Sequence, residues 1–289
     1  MKSDKYGITS LRKQFPDDRA CLEFIFDATH TRECHCGGTY RLMANSRKFQ
    51  CSKCRYKISP TANTIFHKSD TPLTSWFHAI MVFSNAKSGM SAKALERDLE
   101  VTYKCAWRML TLIRKALKQD TDKLQGDVEM DVAYFGGRMK AGKDNANLSQ
   151  AMRAKAAVMG AIERGGDARL KVVRNTTANA HDYFLKKNVE REGTRLLTDS
   201  TNRLQRVAKS YYREAVDHSR KEYVRGDVHV NSVESFWSHV KRSIKGTHKV
   251  VSQKHLQEYL DGFVWHYNNR HNDSDRFYAL LCTLLQPTR

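Results

Sequence analysis

Between Asn231 and Lys245 the apolar residues fall at helical spacing, with Val233, Phe236, Trp237, Val240 and Ile244 along one side of a predicted helix. Glu234, Ser238, Lys241 and Lys245 form a second line down that helix, because seven residues are almost two full turns. A carboxylate and two ammonium groups thus share a face beside an aromatic wall. Asn231 and Glu234 also fit a capping box, which would give them no task beyond starting the helix.

The rest of the chain alternates between two periods. LRKQF followed by DDRACLEFIFDATH predicts a short helix capped by Asp17 or Asp18, with Cys21, Leu22, Phe24 and Ile25 inward. TYRLMANSRKFQ reads as two short strands about a polar turn. From Thr71 a helical pattern carries Leu73, Trp76, Phe77, Ile80, Met81 and Phe83 as far as Gly89, and two further helices start near Ser91 and Thr102. After a linker at 118–126 the period becomes that of a strand. In DVEMDVAYFGG, Asp127, Glu129 and Asp131 face one way and Val128, Met130 and Val132 the other, an acidic row that repels itself unless cations lie opposite. A polar, basic insert fills 138–155, then AAVMGAIERGG and ARLKVVRNTT form a hairpin about Gly165-Gly166. HDYFLKKNVEREG is a predicted helix, TRLLTDS a strand ending at Asp199, LQRVAKS a helix and EAVDHS a strand.

A three-strand meander followed by alternating helices and strands is the order of an RNase H-like domain. The expected fold is therefore α/β within an α+β multi-domain chain. Residues 1–66 hold an N-terminal helix and a zinc ribbon, 67–124 a helix-turn-helix region and linker, and 125–289 the RNase H-like domain with a C-terminal helix.

Charge sharpens this picture. Fifty Lys and Arg against 31 Asp and Glu give +19, with +10 on residues 1–124 and +9 on 125–289. Charge of that size on both halves points to a long polyanion, most simply double-stranded DNA, rather than to one basic tail. No run of eighteen apolar residues occurs and MKSDKYGITSLRKQF has no apolar core, so neither a membrane span nor secretion is expected. Seven cysteines, four of them clustered, suit a reducing compartment: the cytoplasm and nucleoid of a bacterium, or a eukaryotic nucleus.

Cys34, Cys36, Cys51 and Cys54 form two pairs at predicted hairpin tips, which can supply four thiolates to a structural Zn²⁺. The first pair has a gap of one residue instead of two, and His30 or His35 is placed to substitute for one thiolate. Cys21, Cys105 and Cys282 lie among apolar residues and are expected to pack. The short connection at Leu99-Glu100-Val101 gives a helix-turn-helix arrangement, whose second helix enters a major groove by its N-terminal residues. On that reading Thr102, Tyr103, Lys104 and Arg108 face DNA while Trp107, Leu110 and Ile113 pack behind; the plain alternative is a helical hairpin with no such role.

Three carboxylates remain on three separate elements: Asp131 on a strand, Asp199 at the end of another, and Glu234 on the helix described first. Such a set suits two Mg²⁺ (or Mn²⁺) ions about 4 Å apart, which together activate an attacking oxygen and steady a leaving one. Lys241 on the same helix can grip a phosphate. His229 and Asn231, just before and at its start, either contact that phosphate or serve as turn and cap.

These blocks together resemble DDE transposases of the zinc-ribbon insertion-sequence group, the ISXO2-like kind related to eukaryotic Merlin transposons. The motifs run nearly end to end: the two cysteine pairs, PLTSWFHAI, SAKALERDLEVTYKCAWRML, VEMDVAYFGG, LLTDS and DVHVNSVESFWSHVKRSIKGTHKVVSQKHLQEYLDGFVWHYNNR. The resemblance implies that Asp131, Asp199 and Glu234 ligate catalytic metal, and that Lys241 is the basic residue following the glutamate. It also implies that the zinc ribbon and helix-turn-helix read terminal inverted repeats. Val132 and Ala133 depart from it, since the family usually has an acidic residue and a Thr or Ser there. The expected activity is cleavage at transposon ends and transfer of the 3′ hydroxyl to target DNA, by a homo-oligomer because two ends must meet. Two alternatives stand beside it: a domesticated, catalytically silent DNA-binding protein, and a plain RNase H-like nuclease.

Overall fold

The computed structural model describes residues 6–117, 119, 122–136, 155–200, 210–272 and 275–286. All but the last residue of the polar insert expected at 138–155, and all but the last residue of the helix expected at 204–210, lie outside them. The chain divides into two units, one of residues 1–117 with 271–289 and one of residues 118–270.

In the first unit, α1 (Ile8–Gln14) precedes α2 (Asp18–Thr29), whose N-cap Asp17 accepts a hydrogen bond from the Ala20 N–H at 2.8 Å. The inward face of α2 is Cys21, Leu22, Ile25 and Phe26, with Phe24 only half-buried. Strands β1 (Tyr40–Leu42), β2 (Phe49–Cys51) and β3 (Lys57–Ile58) make an antiparallel ribbon in that order. The apolar run from Leu73 forms α3 (Leu73–Asn85), where Leu73, Trp76, Phe77 and Ile80 are fully buried. Asp18 holds its start, accepting from the Thr74 N–H at 3.0 Å. Ser91 caps α4 (Ala92–Leu99) and Thr102 caps α5 (Tyr103–Ala116), each hydroxyl accepting an N–H three residues on. Between these helices Glu100 takes the left-handed conformation, φ 53°.

The second unit is a five-stranded sheet built around β4 (Leu124–Phe135). Strand β5 (Ala156–Glu163) pairs antiparallel with it and β6 (Ala168–Val173) antiparallel with β5, through a turn in which Gly165 has φ 76°. Helix α6 (Ala178–Asn188) leads to β7 (Val189–Asp199), parallel to β4, and β8 (Tyr212–Val216) is parallel to β7. The order is β6-β5-β4-β7-β8. The helix expected to run through Gly193 stops at Asn188 instead. The next five residues already belong to β7, with Val189 buried and a register shift opposite Leu124–Gly126. Helix α7 (Asn231–Ser243) continues as a single π-helical turn at Ile244–His248 before α8 (Gln253–Asn268).

Helices cover both faces of the sheet, so β4 is buried on both. Val128 and Met130 pack with Phe184 and Leu185 of α6, and Ala133 and Phe135 with Val233, Trp237 and Val240 of α7 and Leu260 of α8. The C-terminal helix α9 (Arg276–Leu285) corrects the expected domain limits. It belongs to the first unit and not with the sheet, and its Phe277 ring packs against Phe15 and Phe77. Among the described residues no helix is long and apolar enough to cross a membrane.

Candidate active site and cysteine cluster

Asp131 lies past the middle of β4, on the strand face turned toward α7, and is paired across to Gly160 of β5. In the parallel ladder Met130 is level with Thr198, so the next residues are Asp131, still within β4, and Asp199, at the end of the neighbouring β7. Glu234 comes from the first turn of α7 and is exposed. The three carboxylates feel one another. Burial pushes the Asp131 carboxyl up to about 6, with Asp199 and Glu234 raising it further, against the Val132 N–H and the Trp237 indole, which lower it. The Trp237 Nε1–H is buried without a partner in hydrogen-bonding geometry, so its effect on Asp131 is that of a nearby dipole.

A buried acid made reluctant to ionise by two neighbouring acids suits a divalent cation, which cancels both penalties at once. The linkage runs in a definite direction. Asp131 keeps its proton more tightly folded than unfolded, so its contribution to stability is full below about 4 and is lost as pH rises through about 6. A cation must displace that proton, so Mg²⁺ affinity is expected to fall about tenfold per unit below pH 6. Calorimetric titration with Mg²⁺ at pH 5, 6 and 7 checks this; a flat profile would mean Asp131 is not a ligand.

Other side chains fix the frame. Arg213 of β8 donates from Nε to the Thr198 Oγ1 and from Nη2 to the Asp199 carbonyl, both at 2.8 Å, holding the end of β7 in place. The Lys241 ammonium stands 5.9 Å from the centre of the Phe135 ring, which in turn meets Trp237 edge-on. Gly160 has no room for a side chain: an added Cβ would lie 2.5 Å from the Trp237 ring and 2.8 Å from Leu170. Gly160→Ala is therefore expected to lose about 1–3 kcal/mol and to move the indole off Asp131. Urea melts and the tryptophan emission maximum would report both effects.

Glu129 had no role beyond the acidic row, and the structure gives it one. It is fully buried and anchors the start of α7, accepting the Ser232 and Val233 N–H groups at 2.7 and 3.1 Å and the Ser232 hydroxyl at 3.0 Å. Arg164 donates to it at 2.8 Å and lies 3.5 Å from Asp127, while Arg195 joins Asp127 to Glu214 and Asp227. Those two arginines are the cations opposite the first two members of the acidic row, Asp127 and Glu129. No side chain on α7 itself caps the helix, so the Asn231–Glu234 capping box does not form. His229 is tied inward as well. Arg164 Nη2 donates to its carbonyl and to Nδ1, both at 3.0 Å, which leaves the ring proton on Nε2. Asn231 is exposed at the helix start.

In the first unit the sulfurs of Cys34, Cys36, Cys51 and Cys54 all lie within 4.8 Å of one another. Among the described residues this is the one group of metal-ligating side chains gathered so tightly, and it could hold a tetrahedral zinc ion. The Cys36 N–H and the Tyr40 hydroxyl hold the Cys34 thiol down at about 6, toward the ligating thiolate. The short first knuckle closes without help from His30, which stacks on Phe26; His35 Nδ1 sits 3.6 Å from the Cys34 sulfur. Cys21 is buried as expected, but Cys282 is exposed and is no packing residue.

On α5, Thr102, Tyr103 and Lys104 are exposed, as a reading surface needs. Arg108 and Trp107 exchange the places expected of them. Arg108 is half-buried and reaches the Ser69 hydroxyl, whereas Trp107 is 44% exposed beside Tyr103 and Lys104; Leu110 and Ile113 are fully buried.

The sheet unit is of transposase type: residues 123–268, just over half of the chain, match the family described as the ISXO2-like transposase domain. The chain belongs to that family. It is also 26% identical over 238 residues to an uncharacterized protein in transposable element ISH50 of Halobacterium salinarum, across 78% of this chain and 79% of the relative. Among solved structures it resembles the Mos1 strand transfer complex at 12% identity, TM-score 0.30, over 74% of this chain and 78% of that one. A pre-cleavage Mos1 transpososome is similar at 11% identity, TM-score 0.29, over 73% and 79%.

Proposed function

We propose that the chain is a DDE transposase that binds transposon terminal inverted repeats, cuts DNA there and transfers the strand to a target. The observation that carries this reading is the mutual electrostatic contact of Asp131, Asp199 and Glu234 inside the stretch that matches a transposase family. The strand order, with antiparallel β6, β5 and β4 followed by parallel β7 and β8, supports an RNase H-like fold for this unit. Asp131, Asp199 and Glu234 would hold a pair of Mg²⁺ ions, whose chemistry when bound would be to activate the attacking oxygen and steady the leaving one. Asp131, Asp199 and Glu234 hold the site's negative charge, Lys241 meets a phosphate oxygen, and Trp237 with Phe135 keeps water from the rear of Asp131. Val132 packs toward α6 and Ala133 lies in the core beneath α7, so both departures leave Asp131, Asp199 and Glu234 in place. That favours a working enzyme over a silent DNA-binding protein.

In the first unit the cysteine ribbon and the α4–α5 hairpin would read the ends, with Thr102, Tyr103, Lys104 and Trp107 forward. Zinc is the ion for the ribbon, since four thiolates in a tetrahedron are its preferred structural set. One zinc per chain is expected by elemental analysis. A strong chelator should release it, render the four cysteines reactive to a thiol reagent, and weaken end binding; unaltered thiol reactivity would rule the ion out. The decisive assay is Mg²⁺-dependent nicking of the element's own end DNA by the full chain. Nicking that needs Mg²⁺ supports the reading; tight, specific end binding with no cut in Mg²⁺ or Mn²⁺ would make this a binding protein.

A further inference from the structure

A groove of about 620 Å³ opens at one end of the sheet, where β4 and β6 finish, β5 begins and α8 makes its first turn. Three cations line it, Lys155, Arg174 and Lys254, and among the described residues no carboxylate does. Among the described residues none of the three has an ion-pair partner. Elsewhere in the unit Arg164, Arg195, Lys123 and Lys186 each meet an acid. Three like charges gathered without a counter-charge repel one another, and a polyanion laid along them removes that repulsion.

Position narrows the occupant. Tyr134, on the groove wall, is three residues past Asp131, or about 10 Å along the strand. Because β7 runs parallel to β4, Asp199 ends at this same end of the sheet. A DNA strand whose scissile bond lies at the acidic site comes within reach of this groove, and 10 Å is about three phosphates along one strand. One polar acceptor on the groove wall is already committed. The Asn175 Oδ1 already accepts from the Thr177 N–H and hydroxyl.

We propose that this groove grips the phosphodiester backbone of the cut strand about three nucleotides from the scissile bond, whatever the sequence. The inference rests on the transposase reading and adds to it the path of the strand. Arg174 and Lys254 are exposed, so Arg174→Gln with Lys254→Gln should leave the fold and its melting temperature intact. In the full chain, this double variant should bind end DNA and unrelated duplex more weakly by the same factor. The slope of log affinity against log salt should become shallower by about 1.8, two phosphate contacts' worth. Lys186→Gln, which removes a cation already paired with Asp182, is the control and should leave the slope alone. An unchanged slope in the double variant, or an equal change in the control, overturns the proposal while leaving the transposase reading intact. Wild-type protein that binds no DNA overturns both.

Discussion

Asp131→Asn and Glu234→Gln should each lower strand cleavage by roughly 10³-fold or more, the equivalent of several kcal/mol of charge stabilisation, while end binding is unchanged. Each change removes one negative charge from a cluster in which Asp199 and Glu234 oppose the ionisation of Asp131. The two outcomes separate chemistry from recognition, because the proposed reading surface is in the other unit. Asp131→Asn carries a second signature that a damaged fold would not produce. At pH 7 the ionised Asp131 is a burden on the metal-free protein, so the variant should be more stable than wild type there. Below about pH 4, where the carboxyl is protonated in both states, the advantage should vanish. Denaturant melts at pH 7 and pH 4 without metal test it; a variant that cuts at wild-type rate would end the assignment.

Glu129→Ala should be the most damaging substitution in the sheet unit, at about 3–5 kcal/mol. The deleted carboxylate is fully buried, serves two backbone N–H groups and a hydroxyl of α7, and balances Arg164. Its loss leaves the half-buried Arg164 with Asp127 as its remaining acid and uncaps the helix that carries Glu234. Glu129→Gln keeps the volume and one acceptor and should lose less, about 1.5–3 kcal/mol. If urea melts find Glu129→Ala within 1 kcal/mol of wild type, the carboxylate is a bystander. Cleavage should fall more than melting alone explains, since Glu234 sits two residues beyond Ser232.

What the sequence made legible follows from how far each signal reaches. Period-two alternation put Asp127, Glu129 and Asp131 on one face, and helical spacing put Glu234 and Lys241 on an exposed line opposite Val233, Trp237 and Val240. Neither signal reports which distant element covers a face. The cap that α7 uses lies 103 residues upstream of Ser232, so the local Asn231–Glu234 pattern suggested a box that never forms. Gly160 did carry a legible mark, since a glycine inside an otherwise bulky strand often means close approach by another group. The identity of the intruder, Trp237, was not readable. Trp107 and Arg108 were misplaced because side-chain size was taken for burial; one helical step decided which of them met Ser69. The end of α6 was missed because VEREG is polar, and its strand pairing comes from β4 and not from its own composition.

The chain leaves its first unit at Leu117 and returns to it at His271, so the sheet is an insertion within a helical domain. Leu280, Leu281 and Leu284 of α9 are buried there, and Phe277 completes an aromatic cluster begun by Phe15 and Phe77. During synthesis the helices that precede residue 117 must wait for the whole sheet to emerge before their last wall arrives. A fragment stopped at 117 is thus an unfinished domain with an exposed aromatic floor. A faithful minimal version is a splice joining residue 117 to residue 271.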